Sequence, residues 1–431
     1  MTAPREVDVV VVGGGIVGAA SAYFLAKAGA SVALFEKGVI AGEQSSRNWG
    51  FVRIMGRDPF EVPLAIASVE IWKGLEAELG VDLEWCQGGG MAVTGTEAGV
   101  AAYERWLDIA RQYQLPTRIL SNREIREALP GAEGTWPGAL YNASDGQAEP
   151  ARVAPALAEA ARRLGAVVET GCAVETIVRT GGVVTGVVTE QGEVRARAVV
   201  VAAGAWSSRL LASVGIALPQ LAIRGTVART TPVRTIAAAG VWAPELAFRQ
   251  RRDGTLNIVD GSSFDYDLVP ATLRWARDFR PMWAVFNTYT RFGLGMPMVH
   301  GLAAMVPGNA RHDHPFRATR VLDPPARPER VAKALAGLAR VFPDIRDVQV
   351  TRRWAGAIDM TPDMMPVIGP VEGSAGLIAA TGFSGHGFML GPIAGRLVAD
   401  LALGRRPSLD ITPFRLERFR DGTSLGPRPL I

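Results

Sequence analysis

Asp8-Val9-Val10-Val11-Val12-Gly13-Gly14-Gly15-Ile16-Val17-Gly18 decides the fold. An unbroken apolar run enters a glycine turn. A helical stretch then runs to Lys27, Gly29 stops it, and a second largely apolar run, Ser31 to Phe35, ends on Glu36. This is a βαβ opening with a G-x-G-x-x-G turn and an acid at the second strand's end. Gly13 permits the tight turn, Gly15 lets a pyrophosphate approach the backbone, and Gly18 lets helix and strand pack closely. The helix N-terminus offers free N–H groups and a partial positive charge to phosphates. Glu36 is placed to take both ribose hydroxyls. The motif identifies a dinucleotide site without separating NAD from FAD.

Downstream, Gly42-Glu43-Gln44-Ser45-Ser46-Arg47-Asn48-Trp49-Gly50-Phe51-Val52-Arg53 reads as a polar loop leading into a helix over Val62 to Leu79. Trp85 to Thr94 reads as a strand. Helices are expected over Thr96 to Tyr113, over Ser121 to Leu129 with Ser121 as N-cap, and over Val153 to Leu164 with Pro155 in the first turn. Strands follow at Val167 to Thr170, Ala173 to Val178, Val183 to Thr189 and Val194 to Val201. The last ends in Ala202-Ala203-Gly204-Ala205-Trp206, small residues that permit close approach. Thr226 to Thr231 and Thr255 to Val259 read as strands, and Pro270 to Phe279 and Pro328 to Arg340 as helices. The aromatic-rich stretch Trp283 to Phe292 reads as core. Near the C-terminus, Leu377 to Thr381 is followed by Gly382-Phe383-Ser384-Gly385-His386-Gly387-Phe388 and a helix expected from Pro392 to Leu403. That second strand, glycine loop and helix forms another electrostatically positive helix start.

The 431 residues suffice for two domains and a large core. With 48% hydrophobic and 20% charged residues the chain is an ordinary globular protein. Met1 to Glu6 is too short and polar for a signal peptide, and no run reaches the length of a transmembrane helix. Cys86 and Cys172 are expected as buried thiols, and with four scattered histidines they offer no metal site. His312 and His314 are expected in a solvated loop. Net charge is +4 without a basic and aromatic stripe, so nucleic acid is not implied. The densest basic cluster, Arg249 to Arg252, reads as a solvated strand end. Lysine occurs only at 27, 37, 73 and 333.

Taken together, the first turn, Glu36-Lys37, the Ser45-Ser46 loop, Ala202 to Trp206, Thr361-Pro362-Asp363 with Pro366-Val367-Ile368-Gly369, and Gly382 to Gly387 resemble the D-amino-acid oxidase superfamily of FAD-dependent oxidoreductases. The closest likeness is to its sarcosine oxidase and glycine oxidase-like branch. The resemblance runs nearly end to end. It implies an α/β Rossmann-like, discontinuous FAD-binding domain (residues 1–84, 148–222 and 349–431) under a second α+β domain on a mixed sheet (85–147 and 223–348). It implies an enzyme that oxidises the C–N bond of an amino acid or N-substituted amino acid by hydride transfer to flavin N5, with hydrolysis of the imine. The FAD-contacting positions it implies are Gly13, Gly15, Ile16, Val17, Gly18, Glu36, Lys37, Ser45, Ser46, Asn48, Trp49, Gly50, Val174, Ala203, Gly204, Trp206, Gly356, Gly382, Gly385, His386, Gly387 and Phe388. Gly385 to Gly387 and the helix beyond are the candidates for stabilising charge on the flavin's pyrimidine edge. Arg53 stands close to the place of the branch's carboxylate-clamping arginine. The arginine that glycine oxidases carry before Thr361 is replaced by Ile358.

Other readings stay open at this level. They are a FAD-binding subunit of a hetero-oligomeric amino-acid dehydrogenase, a simple amine oxidase with no carboxylate requirement, and a FAD protein with little catalysis. The acceptor is dioxygen, or a quinone or carrier, since the lysine that sarcosine oxidases place near the flavin has no counterpart between Lys73 and Lys333. Expected localisation is cytoplasmic, with peripheral association at the inner face of a membrane and a homo- or hetero-oligomeric state left open. Where some sarcosine oxidases attach FAD through a cysteine, this chain has Gly356, so FAD is predicted to be non-covalent. Acid denaturation should therefore release all yellow colour into the supernatant. Colour pelleting with the protein would contradict this.

Overall fold

The computed structural model describes residues 4–287, 290–424 and 426–428. Two large sheets organise them. The first has eight strands, in the order Val367–Pro370, Leu377–Thr381, Gly192–Val201, Glu6–Val12, Val32–Glu36 and Val167–Thr170, with the hairpin Val174–Thr180 and Val183–Thr189 paired off Gly192–Val201. Glu6–Val12 lies parallel to both neighbours, with Val9 opposite Ala198 and Val32. Its unbroken valine run is explained by burial on both faces. Val9 and Val11 enter one core, beneath the helices Ile16–Lys27, Pro150–Arg163 and Gly387–Ala402, while Val10 and Val12 enter the other.

The second sheet has ten strands. Its path is Thr290–Gly293, Phe264–Asp267, Leu221–Thr230, Leu256–Val259, Leu246–Gln250, Gly240–Ala243, Gly90–Thr94, Gly138–Asn142 and Thr117–Leu120. Val350–Met360 adds to Leu221–Thr230, antiparallel from Leu221 opposite Met360 to Thr230 opposite Val350. One face packs on the helix Pro328–Val341. The other carries Val227, Ala247 and Val259 against Trp49, Trp242 and Trp354. The first sheet draws its strands from residues 6–36, 167–201 and 367–381, and the second from 90–142, 221–293 and 350–360. No helix among the described residues is long and apolar enough to cross a membrane.

Several local expectations change. The helix expected at Val153 starts at Pro150, so Pro150 takes the first position and Pro155 lies inside. The helix expected at Pro392 starts at Gly387 and also carries its proline internally. Of Trp85 to Thr94 only Gly90–Thr94 is strand. Helix at Pro270 stops at Arg274, and His312 lies in a four-residue helix, Ala310–Asp313. Cys172 is buried but Cys86 is only half-buried. Thr288 and Tyr289 of the aromatic stretch lie outside the described residues. Trp283 packs on the core cluster of Tyr266, Phe279 and Met282 and stacks at 5.2 Å on Phe292, which is exposed, so the stretch is core only at its Trp283 end. Arg249 is not solvated: it is 1% exposed and pairs at 2.8 Å with Glu149 at the start of the Pro150 helix. A counter-charge from a distant segment made burial of that strand end tolerable.

Candidate active site

The first turn closes on itself. Gly13 has φ +109°, and a Cβ there would overlap the carbonyl of Ala202, while one on Gly18 would overlap the carbonyl of Gly13. Gly15 is different: only Ser45 Oγ approaches its Cβ position, at 3.1 Å. The protein's own packing therefore requires Gly13 and Gly18, and Gly15 faces open space. The helix behind it has no side-chain cap and no acid in its first turn; the Ile16 N–H donates to Ser45 Oγ at 2.9 Å. Both oxygens of Glu36 accept backbone N–H groups, from Gly14 and Gly38, each at 2.7 Å, while burial raises its carboxyl above the usual range.

A cleft runs from Glu36 and Lys37 past Gly13, Gly15, Ile16 and Val17, under Val174, Ala203, Gly204 and Trp206, to Gly385, Gly387 and Phe388, with Ser45 and Asn48 on its side. At its Glu36 end a strap crosses from the second domain. Lys37 Nζ bonds Glu43 at 2.7 Å and the carbonyls of Thr319 and Arg320 at 3.0 and 2.9 Å. Glu43 also accepts Trp206 Nε1 at 3.0 Å and the Leu322 N–H at 2.9 Å. Phe316 and Val321 from this strap join the wall. Lys37 thus ties this strap to the cleft it lines.

At the other end, the early start at Gly387 brings a second uncapped, acid-free helix N-terminus to the same cleft. Gln44 lines it too, and its Oε1 is buried with no protein partner. A Cβ on Gly356 would overlap that oxygen, so a cysteine there could not coexist with Gln44 as placed. Asp359 and Thr381 complete this end. Two positive helix ends, an amide-braced acid and an orphaned carbonyl oxygen fit a flavin dinucleotide. Gly18, Ser46, Trp49, Gly50, Gly356, Gly382 and His386 stand outside the cleft wall. Ser46 Oγ donates to the Ala41 carbonyl at 2.6 Å. Trp49 belongs to the apolar roof. Gly50 and Gly382 are held close by Arg249 and Thr361. Gln44, Glu43, Phe316 and Asp359 were not singled out from sequence; none carries a local signal.

Behind the cleft lies a group of charges. Arg53 is half-buried, its guanidinium 4.8 Å over the Trp242 ring, with Nη1 buried and unpartnered. Burial, with Arg57 close by, pushes it down to about 9. Arg57 is 5% exposed. The other fully buried arginines all have a carboxylate: Arg224 with Asp267 at 2.6 Å, Arg249 with Glu149, and Arg418 with Asp363 at 2.7 Å. Among the described residues Arg57 and Arg53 have no ion pair. Asp145 is near, but its Oδ1 accepts the Ile54 N–H and Asn142 Nδ2, both at 2.8 Å, and burial pushes it up to about 7. His386, between the cleft-lining Gly385 and Gly387, sets Nδ1 2.9 Å from Glu61 Oε1. Sequence reading missed Arg57 and Glu61, whose roles depend on what surrounds them in space. The chemistry available is a pair of cationic groups with no salt bridge, one of them stacked over Trp242 of an apolar cluster.

Residues 8–401 match the FAD dependent oxidoreductase (DAO) family. A glycine oxidase of Geobacillus kaustophilus is 28% identical over 420 residues, 95% of this chain and 97% of that protein. The structure of an L-amino acid deaminase from Proteus myxofaciens, in complex with anthranilate, superposes with a TM-score of 0.91 at 30% identity, covering 97% of this chain and 95% of that one. The L-amino acid deaminase of Proteus vulgaris gives a TM-score of 0.91 at 28% identity, covering 97% and 98%. The chain belongs to the FAD dependent oxidoreductase family, within the sarcosine and glycine oxidase-like branch, and it is an FAD-dependent enzyme of amine and amino-acid oxidation.

Proposed function

We propose that this flavoenzyme oxidises the Cα–N bond of an α-amino acid bearing a large apolar side chain. The observation that carries this reading is the Arg53–Arg57 pair, two desolvated guanidinium groups that make no salt bridge among the described residues, with Asp145 and Glu61 acting on them only from beyond pairing distance. A buried charge is costly unless paired, and a guanidinium fork suits a carboxylate. A substrate carboxylate supplies the missing partner, which argues against a simple amine. Trp242, under the Arg53 guanidinium at 4.8 Å, belongs to an apolar cluster with Trp49, Trp354, Val227, Ala247 and Val259, surroundings that suit an apolar side chain. Anthranilate, the ligand in the Proteus myxofaciens deaminase structure, is itself an aromatic carboxylate.

Gly13 to Gly15, Glu36 and Trp206 would hold the adenosine and pyrophosphate half of FAD, and Gln44 and Gly385 to Phe388 the flavin half. FAD supplies the hydride acceptor. Arg53 and Arg57 fix the carboxylate, so the Cα–H is aimed by positioning. The uncapped helix start at Gly387 stabilises negative charge arriving nearby. Anaerobic flavin bleaching by a panel of D-, L- and N-methyl amino acids and amines tests the reading. Phenylalanine or leucine should bleach the flavin far faster than glycine or benzylamine. Arg53→Met should raise KM by roughly 30-fold or more, the cost of removing one partner of a buried charge pair. Bleaching by amines alone, or an unchanged KM, would sink it.

We also place the enzyme in the cytoplasm, peripheral to the inner face of a membrane, passing electrons to a quinone or carrier. Lys73 pairs with Glu70 and Lys333 bonds Ser262, so neither lysine is at the cleft. The helix Met296–Ala303 buries none of its side chains. Leu273, Leu294, Met296, Val299, Leu302 and Met305 are exposed, Leu273 at 82% and Leu294 at 75%. Arg274, Arg277, Arg280 and Arg291 rim them, also exposed. An apolar face with basic neighbours fits an anionic bilayer surface. The enzyme should sediment with phosphatidylglycerol vesicles, and Met296→Glu with Leu302→Glu should abolish this. Wild-type enzyme that stays in the supernatant with every vesicle contradicts the placement.

A further inference from the structure

One contact outside the cleft ties together two helix starts that are distant in sequence. Glu61 precedes the helix Val62–Leu79 and His386 precedes Gly387–Ala402. The two helices are locked where Ser68 Oγ and Trp72 Nε1 both donate to the Met389 carbonyl, the latter at 3.0 Å. Across this joint Glu61 Oε1 meets His386 Nδ1 at 2.9 Å. The Glu61 side chain is 1% exposed and that of His386 19%. Nε2 has no hydrogen-bond partner among the described residues.

The groups facing His386 are Glu61 from the first helix start, and Arg57 and Arg53 from the preceding loop, with Asp145 beyond them beside the two arginines. The helix that His386 begins has no acid in its first turn. Burial first, then Arg57 and Arg53, pull the imidazole below its usual value, and Glu61 pulls it back only in part. That downward pull favours the neutral imidazole. A neutral imidazole carries one proton, and a buried carboxylate 2.9 Å from Nδ1 requires that proton to be on Nδ1. Nε2 is then the lone-pair nitrogen.

We infer that Glu61 is a positioning residue that holds His386 as its Nδ1–H tautomer, so that Nε2 accepts the ammonium proton of the amino acid seated on Arg53 and Arg57. This rests on the amino-acid reading above. An α-amino acid arrives as an ammonium ion, and its nitrogen lone pair must be free before the Cα–H can leave as hydride. In the step one ammonium N–H bond breaks, its electron pair stays on nitrogen, and an Nε2–H bond forms. The positive charge passes from substrate to imidazole. There it stands against the Glu61 carboxylate, which offsets repulsion from the two guanidinium groups.

The chain has four histidines, and His300, His312 and His314 are exposed, so ¹⁵N-histidine NMR of the FAD-loaded enzyme isolates His386. The expected signal is a neutral imidazole at pH 7 with Nδ1 protonated. Glu61→Gln, which keeps the side chain's shape, should give a mixed tautomer. It should also move the acid limb of kcat/KM to lower pH and lower kcat about 10-fold, while Glu61→Asp restores most of the rate; His386→Ala should cost about 100-fold or more. An Nε2–H tautomer, an imidazolium at pH 7, or a Glu61→Gln enzyme with an unmoved limb and unchanged kcat overturns the inference. Failure of the substrate reading looks different: wild-type flavin would then bleach with no amino acid at all.

Discussion

Two helix N-termini converge on one cleft, and the rest of the site depends on that packing. Gly395 lies against the backbone at Ala20 and Gly391 against Ile16, so the helices Ile16–Lys27 and Gly387–Ala402 cross with almost nothing between them. A side chain at position 395 would overlap Ala20, and the second helix could not keep its place. Both helix starts lack side-chain caps and first-turn acids. Their unsatisfied amide groups and aligned dipoles therefore point into common space. A dinucleotide with an anionic diphosphate at one end and a charge-accepting ring at the other satisfies both.

The second constraint is electrostatic. The protein buries arginines freely where it supplies carboxylates, as at Arg224, Arg249 and Arg418. At Arg53 and Arg57 the nearby carboxylates, Asp145 and Glu61, stay beyond salt-bridge distance. Oδ1 of the Asp145 carboxylate accepts from backbone and Asn142, Oδ2 is buried without a partner, and burial pushes the group up to about 7. Such an arrangement stores unpaired charge next to the cofactor. It costs stability in the free enzyme, a cost that the proposed carboxylate substrate would recover on binding.

Legibility in the sequence followed the range of the interactions. The glycine turn, the valine run and Glu36 could be read because strand, turn and helix act within a single local unit. The second glycine loop was visible for the same reason, although its helix began at Gly387 and not Pro392. A proline was taken for a first-turn marker where the helix tolerates it inside. Arg249 was misread because its partner Glu149 comes from the other side of the domain boundary. Arg57 and Gln44 were invisible for the opposite reason: each matters through the partner it lacks, and absence of a partner has no sequence pattern. His386 was seen as a candidate, but its orientation comes from Glu61, more than three hundred residues away.

The claim on which this account turns is that Arg53 and Arg57 form a carboxylate receptor beside the flavin. Titrating the FAD-loaded enzyme with benzoate, and following the flavin absorbance, tests it without turnover. Wild-type enzyme should show a saturable spectral shift, and Arg57→Met should bind roughly 30-fold more weakly without any loss of Tm. Equal affinity in the two proteins, or no spectral response to benzoate in either, would contradict it.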